Sequence, residues 1–124
     1  MDIRVKAGLL QEQPTDAIIV SQFEGMTLSG ATQAVDQALD GVITDLHAGG
    51  DFAGLAGEVA VLYPRGALPA RRVIVVGLGP QEDFSVETVR RAAGVAASKA
   101  RDLGAKSVAT VGTADQRFTG AQHN

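Results

Sequence analysis

Cysteine is absent from the 124 residues, and no apolar run approaches the roughly 20 residues that a helix needs to span a bilayer. The first absence excludes disulfides, thiolate catalysis and cysteine-ligated metal sites, and it suits a reducing compartment. The second gives no membrane partner. Met1-Asp2-Ile3-Arg4 opens a strand pattern in place of a signal peptide, so the expected location is cytoplasmic. Charge of one sign is also in short supply. The net charge is −3, the pI about 5.2, and the basic residues are dispersed apart from Arg71-Arg72 and Arg90-Arg91. No footprint for a phosphate backbone exists, which argues against nucleic acid as a partner.

What is present is the composition of a folded soluble domain, with 45% hydrophobic and 20% charged residues. The length suits one domain. Ile3, Val5 and Ala7 alternate with Arg4 and Lys6, the period of a half-buried strand at or near a sheet edge. Ala17-Ile18-Ile19-Val20 is a short unbroken apolar run, as in a central strand covered on both faces. Ala31, Ala34, Val35, Ala38, Leu39, Val42 and Leu46 recur at helical spacing and predict a helix, or two broken near Gly41. Thr27 or Ser29 could cap its start, and Gly49-Gly50 stops it. Strands follow at Glu58 to Tyr63, ended by Pro64, and at Arg72 to Val76. Ser85 caps a helix whose apolar stripe runs from Val86 to Leu103, with Gly104 as its stop. Ser107 to Val111 is then a strand parallel to the one at Arg72.

No catalytic, cofactor-binding or metal-ligating residue emerges. A two-metal hydrolytic site needs several convergent carboxylates, whereas Glu12, Asp16, Glu24, Asp36, Asp40, Asp45, Asp51, Glu58, Glu82, Asp83, Glu87, Asp102 and Asp115 are scattered. Asp36 and Asp40, at i and i+4, read as a solvated helix face. His47 is expected to interact with carbonyls at a helix end, and His123 lies near the C-terminus. Ser21, Ser29, Ser85, Ser98 and Ser107 lack the context of a nucleophile elbow. Val76-Gly77-Leu78-Gly79 is half a dinucleotide fingerprint, but position 82 is Glu in place of the third glycine, so a tight turn is expected there.

Several stretches together resemble the N-terminal domain of the leucyl aminopeptidase (cytosol aminopeptidase) family. They are Phe23-Glu24-Gly25, Gly30-Ala31-Thr32, Val35-Asp36-Gln37-Ala38-Leu39, Gly50-Asp51-Phe52-Ala53-Gly54 with Gly57-Glu58, Arg72 to Gly79, and Arg90-Arg91-Ala92-Ala93-Gly94. The resemblance implies a macro-like three-layer α/β fold, a mixed and mostly parallel sheet flanked by helices. Residues 1–111 would form this domain, cut short at its C-terminus, and residues 112–124 a disordered tail. Leu55 departs from the pattern, since many relatives carry lysine there. The resemblance further implies a non-catalytic domain acting in assembly, with its own catalytic domain and the other subunits of a hexamer as partners. Metal-dependent release of N-terminal amino acids would fall to that catalytic domain, which holds two zinc or manganese ions in an Asn-Thr-Asp-Ala-Glu-Gly-Arg context. Thr113-Ala114-Asp115-Gln116-Arg117 is superficially similar but lacks the glutamate and the spacing. The alternative is a macro-type module binding ADP-ribose or a related nucleotide at the loops Ser21 to Gly30 and Gly77 to Asp83. If covering elements are missing, the apolar face around Val108 and Val111 is expected to lie exposed and to drive self-association.

Overall fold

A computed structural model describes residues 14–25, 28 and 30–110, together with the backbone of 2–5. Five strands form one sheet. β1 (Asp2–Val5) and β3 (Val59–Leu62) are its edges, and β5 (Ser107–Thr110), β2 (Ala17–Phe23) and β4 (Arg72–Gly79) lie between them in that order. All pairings are parallel except that of β3 with β4. The fold is thus the mixed, mostly parallel sheet expected, with β1 at an edge and β2 at the centre. β4 and β5 are parallel as expected, with β2 inserted between them.

Period-two alternation along the strands sends side chains into two cores. Ile18, Val20, Val73, Val75 and Ala109 join Val35 and Leu39, Ile43 and Phe52 on one face. Val35, Leu39 and Ile43 come from α1 (Gly30–Ala38), the turn after it, and α2 (Val42–Ala48), and Phe52 from the loop that follows α2. On the other face Ala17, Ile74, Val76 and Val108 meet Ala92, Ala96 and Ala100 of α3 (Val86–Asp102). The small alanines let α3 lie close to the sheet, and its face leaves Val108 with no exposed surface. The expectation of an open apolar face at Val108 is therefore corrected: α3 covers it. Val111, Thr27, Ser29, and residues 112–124 with His123, Asp115 and the Thr113 to Arg117 stretch lie outside the described residues, as does Glu12.

The helical stretch does break near Gly41, and the break explains an acid that periodicity misread. Asp40, at φ 63°, and Gly41, at φ 85°, leave the helix in left-handed conformation. Gly41 N–H donates to the Asp36 carbonyl at 2.8 Å and Asp40 N–H to that of Gln37 at 3.1 Å, the paired bonds of a Schellman ending. The Asp36 side chain then serves the next helix. Its Oδ1 accepts from the N–H groups of Ile43 (2.6 Å) and Thr44 (3.2 Å), and its Oδ2 accepts from Thr44 Oγ1 at 2.6 Å. Asp36 is only 6% exposed, so it is not half of a solvated surface pair with Asp40. It is a buried N-cap, delivered from α1 to α2 because Gly41 has no side chain to do it.

Helix α3 starts as expected at Ser85, whose Oγ accepts from Thr88 N–H at 3.3 Å while Ser85 N–H donates to Thr88 Oγ1 at 3.1 Å. This is a reciprocal capping box with Thr in place of the usual Glu or Gln. Glu87 instead reaches Arg90 at 3.5 Å in solvent, where an ion pair contributes little.

Removing the buried cap should be costly. Asp36→Ala orphans two amides and a hydroxyl and should lower unfolding free energy by about 2–4 kcal/mol, whereas Asp36→Asn, which keeps an acceptor, should cost less. Urea denaturation of both variants checks the order; equal losses would mean that the carboxylate is not what caps α2.

Candidate functional site

In open α/β sheets, ligands sit beyond the carboxyl ends of the parallel strands. Here that pole gathers the ends of β2 and β4, the starts of α1 and α3, and the loop Phe52 to Glu58, which arrives there because β3 runs antiparallel to β4. The expected turn at Gly77-Leu78-Gly79 is not present: β4 continues through Gly79. This extension pairs with the end of β2 on one side and with the incoming loop on the other. Gly77 N–H donates to the Glu58 carbonyl at 2.7 Å, Gly57 N–H to that of Gly77 at 3.1 Å, and Gly79 N–H to that of Gly54 at 2.8 Å.

Two glycines make this contact feasible for steric reasons. A Cβ at position 77 would lie 2.1 Å from the Leu55 carbonyl oxygen and 2.6 Å from the Gly54 carbonyl carbon. Gly54, at φ 89°, passes so close to the end of β2 that a Cβ would lie 2.9 Å from the Phe23 oxygen. The loop is tied down by Glu58, whose Oε1 accepts from three successive N–H groups, those of Ala53, Gly54 and Leu55, each at 3.0 Å. Successive amides aimed at one point form an anion-binding concavity. In this chain its occupant is internal.

Beside the loop, a cleft of about 160 Å³ opens between Gly57, Gly77 and Pro80 on one side and Asp83, Thr88 and Arg91 on the other. Phe84 stacks edge-on against Phe23 with centroids 5.4 Å apart, and Leu55 (49%), Phe84 (37%) and Val86 (54%) are exposed at this pole.

The remaining acids do not converge. Among the described residues no group of three or more His, Asp or Glu side chains could hold a metal ion, so these residues do not fit a two-metal centre. Glu24, Asp45, Asp51, Glu82, Asp83, Glu87 and Asp102 are exposed. His47 does not reach the helix-end carbonyls: its Nε2 is buried with no hydrogen-bond partner, and the terminal carbonyls of Asp45 and His47 accept instead from the N–H groups of Gly49 and Gly50. Asp16 lies at the opposite pole, where it ties β2 to β5. It accepts from Lys106 N–H at 2.7 Å, and its own N–H donates to Ser107 Oγ at 3.1 Å. The Lys106 bond holds its carboxyl below the usual value of 3.8, opposed by burial and assisted by the Ser107 N–H and by Arg71 and Arg72.

The architecture defines the class: a macro-like three-layer α/β domain. Among solved structures, the Mycobacterium tuberculosis DarG macrodomain superposes with TM-score 0.70 at 15% identity, over 96% of this chain and 88% of that one. A tomato leucine aminopeptidase mutant does so with TM-score 0.69 at 21% identity, over 89% of this chain but 22% of that one. At such identities the likeness is one of fold. Sequence narrows it. Residues 19–122 match the cytosol aminopeptidase family, N-terminal domain. The chain is 34% identical to a probable cytosol aminopeptidase of Alkaliphilus oremlandii over 110 residues, and 36% identical to one of Alkalilimnicola ehrlichii over 105 residues. These alignments cover 88% and 85% of this chain. The chain belongs to the cytosol aminopeptidase family, as its N-terminal domain, and it spans about a fifth of the length of those relatives (22% and 21%).

Two glycines separate close approach from mere flexibility. Gly77→Ala drives a methyl group into the loop backbone and should cost about 1–3 kcal/mol. Gly94→Ala lies mid-helix with nothing within 4 Å of the added Cβ, and should gain about 0.5–1 kcal/mol. Urea midpoints of the two variants should move in opposite directions.

Asp16 supplies a pH signature. Its folded-state pKa is lowered, so its contribution is fully present above the unfolded value near 3.8 and is lost as pH falls through the folded value. Asp16→Asn should therefore narrow the stability gap between pH 5 and pH 2.5, as read by thermal melts across that range; an unchanged gap would exclude Asp16 from the acid limb.

Proposed function

We propose that this chain is the non-catalytic N-terminal domain of a cytoplasmic aminopeptidase, acting as a scaffold for assembly while residues outside it hydrolyse the peptide bond. The observation that carries this reading is the match of residues 19–122 to the family's N-terminal domain; beside it, three of the acids are committed to structure, Asp36 to a cap, Glu58 to a loop and Asp16 to a strand junction. The reaction served would be metal-dependent release of N-terminal residues, leucine foremost, from peptides. Two zinc or manganese ions would be held by a catalytic domain, within a hexamer. The exposure of Leu55, Phe84 and Val86 at one pole supports a docking role, since exposed apolar side chains lose unfavourable hydration when covered.

A second reading, an ADP-ribose or nucleotide module, is favoured by the cleft beside Gly57 and Gly77. It is opposed by chemistry. A pyrophosphate needs backbone donors, and the three that converge at this pole already serve Glu58.

The purified chain, assayed on leucine p-nitroanilide with added manganese or zinc, should give no turnover above the metal-only control, and ADP-ribose should leave its melting midpoint unchanged. Metal-dependent turnover would overturn the scaffold reading; a saturable thermal shift with ADP-ribose would establish the second.

A further inference from the structure

The strand-end pole holds a complete anion site with an intramolecular tenant. Three amide donors at 3.0 Å, supplied by consecutive residues and converging on one oxygen, are more than a turn requires. They are the donor set with which a backbone concavity binds a carboxylate or a phosphate oxygen. The donors are preorganised by contacts other than those to Glu58. Gly54 is held by its carbonyl to Gly79 N–H, and the loop beyond it by Gly57 N–H to the Gly77 carbonyl. The cleft next to the loop carries Thr88 and Arg91 as well as the carboxylate of Asp83, and among the described residues Arg91 makes no ion pair. Donors, open space and an uncommitted cation thus share the end of the sheet at which α/β folds bind ligands.

We propose that the Ala53–Leu55 amides form a latent oxyanion site, closed in this chain by the Glu58 carboxylate and open to a small external anion once that carboxylate is removed. Glu58 lies only three residues after Leu55, so it takes the donors without the loss of translational and rotational freedom that binding costs a dissolved anion. External anions do not bind the native chain for that reason. The site's ligand class is a carboxylate or phosphate oxygen, and Glu58 is its autoinhibitory occupant. The same fold surface is thereby converted from a binding site into a structural joint, which goes beyond the scaffold reading and does not depend on it.

The test uses the 124-residue chain and its Glu58→Ala variant, melted at matched ionic strength in chloride, acetate and inorganic phosphate. In chloride the variant should melt about 5–10 °C below the native chain, because charge-assisted hydrogen bonds are lost. Acetate, phosphate or both should raise its midpoint saturably, while the native midpoint stays flat. Recovery with acetate alone assigns the site to planar carboxylates, and recovery with phosphate extends it to tetrahedral anions. A variant that responds to neither beyond chloride overturns the proposal. Should Glu58→Ala prove insoluble, Glu58→Gln is read by amide NMR. Replacement of a charged acceptor by a neutral one should move the Ala53, Gly54 and Leu55 amide resonances together, and three unmoved resonances would overturn the proposal equally.

Discussion

The backbone of the Phe52 to Glu58 loop lies directly on the backbone of β4, and most of the strand-end pole depends on that approach. Position 77 has no room for a single carbon atom beyond Cα, since a Cβ there would meet the Leu55 carbonyl oxygen at 2.1 Å. Once the two backbones touch, their polar groups must pair with each other, because water cannot reach both sides of such a contact. Gly57, Gly77 and Gly79 supply these pairs. The amides of Ala53, Gly54 and Leu55 are not used in these pairs, and Glu58 satisfies all three through one oxygen. Steric closeness thus dictates the hydrogen bonding, and the hydrogen bonding dictates where a carboxylate must stand.

The layered fold was largely legible in the sequence, because it is written in periods that a single residue window can display. The unbroken run at Ala17, the alternation at Ile3 and the alanine stripe from Ala92 to Ala100 each report burial on known faces. Ser85 and Gly104 mark helix ends by local chemistry, and both marks hold, with the 17-residue helix α3 lying between them. What escaped was information carried by contacts between distant segments. Gly77 to Gly79 has the composition of a turn, and it continues the strand because the end of β2 pairs with it on one side and a loop some 20 residues earlier on the other. Asp36 sits at helical spacing from Asp40, and only the left-handed turn at Asp40 and Gly41 aims it at Ile43 and Thr44. An acid five residues before a glycine, with Thr eight residues on, is a usable signal for such a relayed cap.

The stretches that carried the family resemblance acquire a physical meaning in this light. Gly50-Asp51-Phe52-Ala53-Gly54 with Gly57-Glu58 is neither a metal motif nor a nucleophile motif. It is the set of residues needed to lay a loop on β4: Phe52 buried in the core, Gly54 at φ 89° against Phe23, and Glu58 as anion. Arg72 to Gly79 is the strand that receives it, and its glycines fall where the loop touches. A pattern of glycines and one acid can therefore identify a family without marking chemistry, because backbone closeness constrains residue type as strictly as catalysis does.

This also bears on why a macro-like fold need not behave as a ligand-binding module. A fold delivers backbone donors and a cleft to one end of its sheet; the sequence decides whether a ligand or a side chain meets them. When a carboxylate from the same loop takes the donors, the free energy that would have bound an external anion is retained as loop stability. The loop is thereby tied down, and its Leu55, like Phe84 and Val86 at the same end of the sheet, is exposed. Closing the anion site from within thus commits the pole's converging backbone donors to Glu58, and what the pole leaves open to solvent includes the apolar side chains of Leu55, Phe84 and Val86.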